Sequence, residues 1–157
     1  MGIFYTDGSA HPNPGPGGFG VLEVVSDKPF YAYSKQTDEK TTNNREELKS
    51  ILFVMLTNGR QESDFRAIPE VFSDSAYCVN TLTDWMFKWA NNGWVKSDGK
   101  EPENLDLIKA YYEHYQKGYR INLQKIKGHN GHKWNELVDK LATGKITPKE
   151  VMELGYK

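Results

Sequence analysis

The sequence predicts a single α/β domain in which a five-stranded mixed sheet, three antiparallel strands and then two parallel ones, is flanked by helices. Two observations carry this prediction. Three strand-like segments with short connections follow one another near the start of the chain, which favours an antiparallel meander. Helical and strand-like segments then alternate, so helices connect the later strands and place them parallel to the first. At 157 residues the chain can bury a core without disulfides.

The first three strands lie in the first quarter of the chain. Residues 2–10 are apolar and β-favouring apart from Asp7, and a loop rich in Pro and Gly follows at residues 11–18. Residues 19–25 and 30–34 are predicted as the second and third strands, because β-favouring runs there are separated by turn residues.

The pattern then changes to the period of a helix. Apolar residues at helical spacing from Leu48 to Leu56 predict the first helix, and the Asn-Gly pair at residues 58–59 ends it. Glu46 and Glu47 are placed in its first turn, where acidic side chains are favourable. Three residues are candidates for its N-cap: Thr42, Asn43 and Asn44.

The second half of the chain is predicted to contain two more strands and five more helices. The strands cover residues 68–74, which end on Asp74, and residues 120–127. A capping box at residues 147–150 opens the last helix. The other helices are predicted at residues 75–83, 84–91, 105–116 and 134–143.

Composition excludes several classes of protein. A hydrophobic content of 38% and an aromatic content of 13% are typical of a folded domain rather than a disordered chain. The formal net charge is −1, so a polyanion would have to be bound by a local basic patch or through metal ions. The single cysteine, Cys78, can form no internal disulfide. Without an apolar run of membrane-spanning length or an N-terminal signal, we expect a cytoplasmic chain with no membrane partner.

Carboxylates at the ends of strands indicate a metal site. Asp7 and Asp74 lie near the carboxyl ends of strands predicted to be parallel neighbours, and Glu47 at the start of the first helix would point to the same place. Taken alone, Asp7 could instead form an ordinary Asp-Gly turn. Clustered carboxylates repel one another unless a cation holds them, and oxygen-only ligation selects Mg²⁺ or Mn²⁺. Two such ions suit phosphodiester hydrolysis.

Six short motifs occur in a fixed order along the chain. They are found at residues 5–9, 13–18, 41–48, 74–75, 127–132 and 135–139. Together they resemble type 1 ribonuclease H of bacteria and phages. The resemblance implies the three-layer ribonuclease H-like fold, with residues 1–144 as the catalytic domain and 145–157 as a short helical extension of it. It also implies cleavage of the RNA strand of RNA–DNA hybrids, leaving 5′-phosphate and 3′-hydroxyl ends. We further expect a monomer.

The resemblance assigns the catalytic residues. It implies two Mg²⁺ ions, with Mn²⁺ as a substitute. His129 matches a loop histidine of the family that assists proton transfer or product release, and the alternative is a surface histidine, as expected for His132. The carboxylates that match the family's metal ligands are Asp7, Glu47, Asp74 and Asp139.

The resemblance also assigns residues that bind the hybrid. Asn13, Asn43 and Asn44 match positions that contact base edges and 2′-hydroxyls, although Asn43 and Asn44 could serve only as helix caps. Thr42 and Asn104 resemble a pocket for a phosphate of the DNA strand. A segment that we call the handle resembles the family's protrusion along the DNA strand, with Trp85 as its DNA contact. Its aromatic and basic residues are Trp85, Lys88, Trp89, Trp94, Lys96 and Lys100, offset by Asp84, Asp98, Glu101 and Glu103.

Three other functions share parts of this pattern. A proofreading exonuclease has the same sheet topology but carries Asp-x-Glu in its first strand, where this chain has Asp7 and Ser9. An inactive hybrid-binding module would have lost a carboxylate, and all four are present. An integrase or transposase core would need a different acidic spacing.

Overall fold

The computed structural model describes residues 2–61, 63–64, 66–127 and 132–154. Its strands are, in chain order, β1 (Ile3–Ala10), β2 (Gly15–Val25), β3 (Lys28–Thr41), β4 (Arg60–Gln61), β5 (Glu70–Ser73), β6 (Tyr119–Arg120) and β7 (Asn122–Lys125). Its helices are α1 (Asn43–Asn58), α2 (Ala76–Asn80), α3 (Met86–Asn91), α4 (Leu105–Gln116), α5 (Lys133–Ala142) and α6 (Pro148–Leu154).

Five of these strands form one mixed sheet in the order β3-β2-β1-β5-β7. The strands β1, β2 and β3 pair antiparallel, and β1 pairs parallel with β5, which pairs parallel with β7. The predicted sheet of three antiparallel and two parallel strands is therefore confirmed. Its central strand is β1, which carries Asp7.

Helices cover both faces of the sheet, which confirms the predicted three layers. On one face, α1 packs against β1 around the buried side chains of Phe4 and Leu48. On the other face, α5 packs against β1 and β2, and the core there includes Tyr5, Trp134 and Val151. Val151 belongs to α6 and is fully buried, so this short helix is packed against the sheet. None of the helices among the described residues is long and apolar enough to cross a bilayer.

The second and third strands are longer than we predicted. The strand β2 begins at Gly15, inside the predicted loop, and β3 continues to Thr41, which pairs with Gly15. The added part of β3 is mostly polar and exposed, so it has no hydrophobic alternation by which the sequence could reveal it. Pairing with β2 holds it in the sheet.

The strand predicted over residues 120–127 was wrong in its extent. Arg120 belongs to β6, which pairs antiparallel with β4 in a separate two-stranded sheet. The main sheet takes only β7, which pairs parallel with β5. One straight strand cannot hydrogen-bond in register with both partners, so the chain leaves strand geometry at Ile121.

The break predicted between helices 75–83 and 84–91 was also wrong. The backbone continues from α2 into α3 through a π-helical segment, Thr81–Trp85. Such a segment inserts an extra residue into the helix and changes the direction in which the following side chains point. The handle begins in this segment, so the π-helical turn determines the direction in which the handle extends from the domain.

Candidate active site

Asp7 is held in the buried centre of the sheet. Asp7 is only 6% exposed, and one of its carboxylate oxygens accepts a hydrogen bond of 2.9 Å from the Gly8 N–H. This bond is not the Asp-Gly turn that we considered as the alternative, because Asp7 and Gly8 both lie within β1, which continues to Ala10. It uses one oxygen and leaves the remaining acceptor positions of the carboxylate for other partners.

Gly8 allows α1 to approach β1 closely. A Cβ atom at Gly8 would lie 2.2 Å from the carbonyl carbon of Glu46 and 2.3 Å from the backbone nitrogen of Glu47. The start of α1 therefore rests on the bare backbone of β1. This contact brings the side chain of Glu47 from the helix to the carboxyl end of the strand that carries Asp7.

Three carboxylates converge at this end of the sheet, as we expected from the strand ends. Asp7, Glu47 and Asp74 each offer a carboxylate oxygen, and these oxygens lie within 4.8 Å of one another. Asp74 follows β5 directly, and the pairing of Tyr5 with Phe72 brings it level with Asp7. An all-oxygen donor set of this kind suits Mg²⁺ or Mn²⁺ better than a softer metal.

Asp139 reaches the same place from α5 on the other face of the sheet. The helix lies close to β2, because a Cβ atom at Gly20 would be 2.7 Å from the Cβ of Leu141. Gly20 pairs with Asp7 across the sheet, and Asp139 is near enough to contribute to the raised pKa of Asp7. Asp139 is itself exposed, so the cluster of carboxylates is accessible to solvent on the side of α5.

The cluster is electrostatically strained without a cation. Burial raises the pKa of Asp7 from 3.8 to about 10, with further contributions from the charges of Asp74 and Glu47 and from Asp139. Burial also raises the pKa of Glu47 to about 7, although a hydrogen bond with Ser75 opposes this shift. The metal-free cluster therefore retains protons at neutral pH, and a divalent cation would compete with them.

Two asparagines beside the cluster have fixed orientations. The Oδ1 of Asn43 accepts from the Ala10 N–H at 2.7 Å, and the Oδ1 of Asn13 accepts from the Asn43 N–H at 3.2 Å. Neither Nδ2 group donates to another described residue. Both amides can therefore present unused N–H donors to a ligand. The N-cap of α1 is Thr42, whose hydroxyl oxygen accepts from the Arg45 N–H at 3.1 Å, so Asn43 and Asn44 are not needed for that role.

Sequence reasoning did not identify Arg45 as part of this surface. Its guanidinium donates to the Asn104 Oδ1 at 3.4 Å and forms two bonds, of 2.9 and 2.6 Å, with Asp106. Thr42 and Asn104, which we predicted to form one pocket, are thus both bonded to Arg45. The only signal in the sequence was the position of Arg45 within the motif at residues 41–48, since the packing of α4 against α1 decides its contacts.

The handle has an exposed aromatic tip and a packed base. Trp85 is 36% exposed, and its ring centroid lies 6.2 Å from that of Trp89. Trp89 and Trp94 pack against the core, and the ring centroids of Trp94 and Tyr112 lie 5.2 Å apart in an edge-to-face arrangement. Lys88 is exposed and lies 3.5 Å from the carboxylate of Asp84. This contact offsets part of its positive charge.

The two loop histidines differ in what the structure describes. His129 lies outside the described residues, so its predicted role stays a prediction. The Nδ1 of His132 accepts from the Asn135 N–H at 3.2 Å and caps α5. The ring of His132 also packs 5.4 Å from that of Tyr5.

Comparison with known proteins decides the family. The model of the family described as RNase H matches residues 2–147. This chain belongs to the RNase H family. The recognised family and the assignment as a ribonuclease H enzyme are thereby confirmed.

Relatives in the RNase H family match along nearly their whole length. Ribonuclease H of Haemophilus influenzae strain 86-028NP is 38% identical over 152 residues, which is 97% of this chain and 94% of the relative. Ribonuclease H of Caldanaerobacter subterraneus subsp. tengcongensis is also 38% identical, over 90% of this chain and 88% of the relative.

Solved structures of the RNase H family share the fold. LC9-RNase H1, described as a type 1 RNase H with the type 2 active-site motif, is 26% identical with a TM-score of 0.67, over 94% of this chain and 74% of that one. LC11-RNase H1 in complex with an RNA/DNA hybrid is 21% identical with a TM-score of 0.62 over the full length of both chains. The second likeness shows the fold alone.

Proposed function

We propose that the chain is an endonuclease that hydrolyses the RNA strand of RNA–DNA hybrids and leaves 5′-phosphate and 3′-hydroxyl ends. The observation that carries this proposal is the group of Asp7, Glu47 and Asp74, whose oxygens lie within 4.8 Å at the carboxyl ends of parallel strands. Membership of the RNase H family supports it, and so does the likeness in fold to a relative solved with an RNA/DNA hybrid. We also propose that it acts as a monomer in the cytoplasm.

The carboxylates would hold two divalent cations, Mg²⁺ in the first place and Mn²⁺ as a substitute. Asp7, Glu47 and Asp74 supply the oxygen ligands, and Asp139 adds a fourth carboxylate from α5. When bound, such a pair of ions activates a water molecule and stabilises the departing 3′-oxygen. The chain's own part is to keep the carboxylates at fixed positions, because β1, β5, α1 and α5 hold them on separate rigid elements. His129 is proposed to assist proton transfer or product release.

Recognition of the hybrid is assigned to neutral donors and the handle. Asn13 and Asn43 present N–H groups, which suit the lone pairs of a 2′-hydroxyl or the acceptors on base edges of the minor groove. Asn44 is exposed beside them. Thr42 and Asn104 are proposed to bind a phosphate of the DNA strand. Trp85 and Lys88 are proposed to lie along that strand.

Cleavage assays test the proposal directly. A labelled RNA–DNA hybrid, an RNA duplex and a DNA duplex of one sequence are incubated with the protein, with and without Mg²⁺. We expect cuts only in the RNA of the hybrid and only with the metal. If the protein binds the hybrid but never cuts it, the alternative of an inactive hybrid-binding module is correct. Cleavage of all three duplexes would overturn the substrate assignment.

The orientation of Asn43 leads to a prediction about binding. In Asn43→Asp the carboxylate keeps the acceptor for the Ala10 N–H, but it replaces the outward-facing donor by a negatively charged acceptor. A lost hydrogen bond with an unpaired polar group costs about 1–3 kcal/mol, so affinity for the hybrid should fall about 10- to 100-fold. Fluorescence anisotropy in Ca²⁺ would measure it.

A matched variant controls for the added charge. Asn58→Asp introduces the same change at the opposite, C-terminal end of α1 and should leave affinity for the hybrid unchanged. If Asn43→Asp binds the hybrid as tightly as the unmodified chain, the amide of Asn43 does not donate to the substrate.

The handle should make a modest contribution to the salt dependence of binding. Each phosphate neutralised by a lysine adds about 0.9 to the slope of log affinity against log salt. Lys88, Lys96 and Lys100 are the cations of the handle, and acids lie beside them, so replacing all three by Ala should lower the slope by roughly two to three units at most. The preference for hybrid over DNA duplex should remain, because the asparagines carry it.

The measurement is binding of a catalytically inactive protein to hybrid and to DNA duplex over a salt series in Ca²⁺. A control replaces Lys28, Lys117 and Lys149, which are exposed and lie outside the handle, and should leave the slope unchanged. An unchanged slope in the handle variant would show that the handle does not contact the backbone. A lost preference for hybrid would contradict the role given to Asn13, Asn43 and Asn44.

A further inference from the structure

Asn104 has an unusual backbone conformation just before α4. Its φ of 59° and ψ of 28° place it in the left-handed region, which asparagine tolerates better than most residues. It occupies the N-cap position, yet its side chain makes no capping bond to α4. The side chain is instead directed to other elements.

Two residues determine which way the Asn104 amide faces. The guanidinium of Arg45 donates to its Oδ1 at 3.4 Å, and its Nδ2 donates to the phenol oxygen of Tyr77 at 3.4 Å. A flipped amide would place an N–H group against the guanidinium, where no acceptor is present. The observed orientation therefore leaves the second N–H of Nδ2 as the group that can bind a further ligand.

Arg45 is itself fixed by Asp106 in the first turn of α4. The two guanidinium nitrogens bond to the two carboxylate oxygens at 2.9 and 2.6 Å, a forked arrangement that lysine cannot reproduce. Asp106 also neutralises the charge of Arg45. Through its backbone N–H, Arg45 occupies the hydroxyl oxygen of Thr42, so the hydroxyl proton of Thr42 points elsewhere. One residue thus contacts both Thr42 and Asn104.

We propose that Arg45 is a positioning residue, whose guanidinium orients the Asn104 amide so that this amide and the Thr42 hydroxyl serve as two neutral donors for one phosphate of the DNA strand. This inference rests on the proposed function, because it concerns how the hybrid is bound. Arg45 does not contact that phosphate through its own charge, since the carboxylate of Asp106 occupies its fork and would repel an anion there. Tyr77 completes the arrangement by holding the Asn104 nitrogen.

Substitutions of Arg45 separate positioning from direct charge contact. Arg45→Met and Arg45→Lys should each raise the KM for the hybrid about three- to tenfold, the effect of one hydrogen bond, with little change in kcat at saturating hybrid. The salt slope of binding should stay the same in both. Tyr77→Phe, which removes only the phenol oxygen, should raise KM in the same direction.

A double-mutant cycle tests the link to Asn104. If Arg45 acts by orienting that amide, then Arg45→Met should cost little in a protein that already carries Asn104→Ala. Asp106→Asn weakens the forked contact without removing Arg45, and it should show a smaller rise in KM. It also serves in place of Arg45→Met if that variant fails to fold, as judged by its thermal transition.

Two results would overturn the inference. The first is full activity of Arg45→Lys together with a salt slope that falls by about 0.9 in Arg45→Met, since that shows a direct ionic contact with a phosphate. The second is additivity of Arg45→Met and Asn104→Ala in the cycle. The unmodified protein is the reference: if it does not cleave the hybrid at all, the proposed function fails, whereas cleavage with additive variants refutes only this inference.

Discussion

Replacing Asp7 with Asn should abolish cleavage of the hybrid. An oxygen of Asp7 lies within 4.8 Å of oxygens of Glu47 and Asp74, and Asn supplies a neutral oxygen in place of a charged ligand. Metal ions contribute several kcal/mol to such a reaction, so the rate should fall by at least about 10³-fold. The measurement is cleavage of a labelled hybrid in Mg²⁺, with Asp38→Asn, an exposed carboxylate on β3, as the control.

The same variant should be more stable than the unmodified protein when metal is absent. The pKa of Asp7 is raised from 3.8 to about 10 by burial and the neighbouring carboxylates. The folded state therefore binds more protons than the unfolded state between those two values, and the free energy of unfolding falls as pH rises through this window. The amide introduced by Asp7→Asn cannot ionise. This position therefore no longer contributes to the pH dependence of the free energy of unfolding.

Thermal unfolding in a chelator at pH 5 and at pH 8.5 would measure this effect. The advantage of Asp7→Asn over the unmodified protein should be small at the lower pH and larger at the higher one, and Asp38→Asn should show no such trend. Added Mg²⁺ should stabilise the unmodified protein more than the variant, since binding to the folded state raises its stability. An equal gap at both pH values would contradict the buried, repelling cluster, and wild-type turnover by the variant would contradict its role in catalysis.

Replacing Gly8 with Ala should damage both stability and activity. The added methyl group would lie 2.2 Å from the carbonyl carbon of Glu46 and 2.3 Å from the nitrogen of Glu47. Both are backbone atoms, which cannot rotate away, so α1 must move relative to β1. Overpacking of this kind costs about 1–3 kcal/mol, and a displacement of about 1 Å at a catalytic group costs about 10²-fold in rate.

Urea unfolding and kcat/KM for the hybrid would measure the two effects. Gly118→Ala is the matched control: its φ of +97° makes Ala unfavourable, but no described atom lies within 4 Å of the new Cβ. It should lose about 1–2 kcal/mol of stability through backbone strain and keep its activity. If Gly8→Ala cleaves the hybrid at the normal rate, Glu47 does not depend on this contact for its position.

The elements that sequence reasoning predicted well are those with local signals. The helix α4 has the predicted bounds, Leu105–Gln116, because its apolar spacing and the Lys-Gly pair after it lie within the segment itself. The capping box before α6 is also present, with Thr147 and Glu150 bonded at 2.9 to 3.1 Å. The proximity of Asp7 and Asp74 followed from one rule about parallel strands.

The elements that it missed depend on partners far away in the chain. The polar second half of β3 is a strand because it pairs with β2. Arg120 lies outside the main sheet because it pairs with Arg60 in the two-stranded sheet. Hydrogen bonds between such distant residues leave no period in the local sequence. The same limit explains the unbroken backbone through the π-helical segment Thr81–Trp85.

For the site, residue types and their spacing were enough to name four carboxylates, four asparagines and a threonine as candidates. The orientation of these side chains could be read only from the folded chain. Asn43 became a donor because the Ala10 N–H occupies its oxygen, and Arg45 became bound to Asn104 and Asp106 because α4 packs against α1. The direction of a hydrogen bond depends on which atoms meet in space, and residue type alone leaves both directions open.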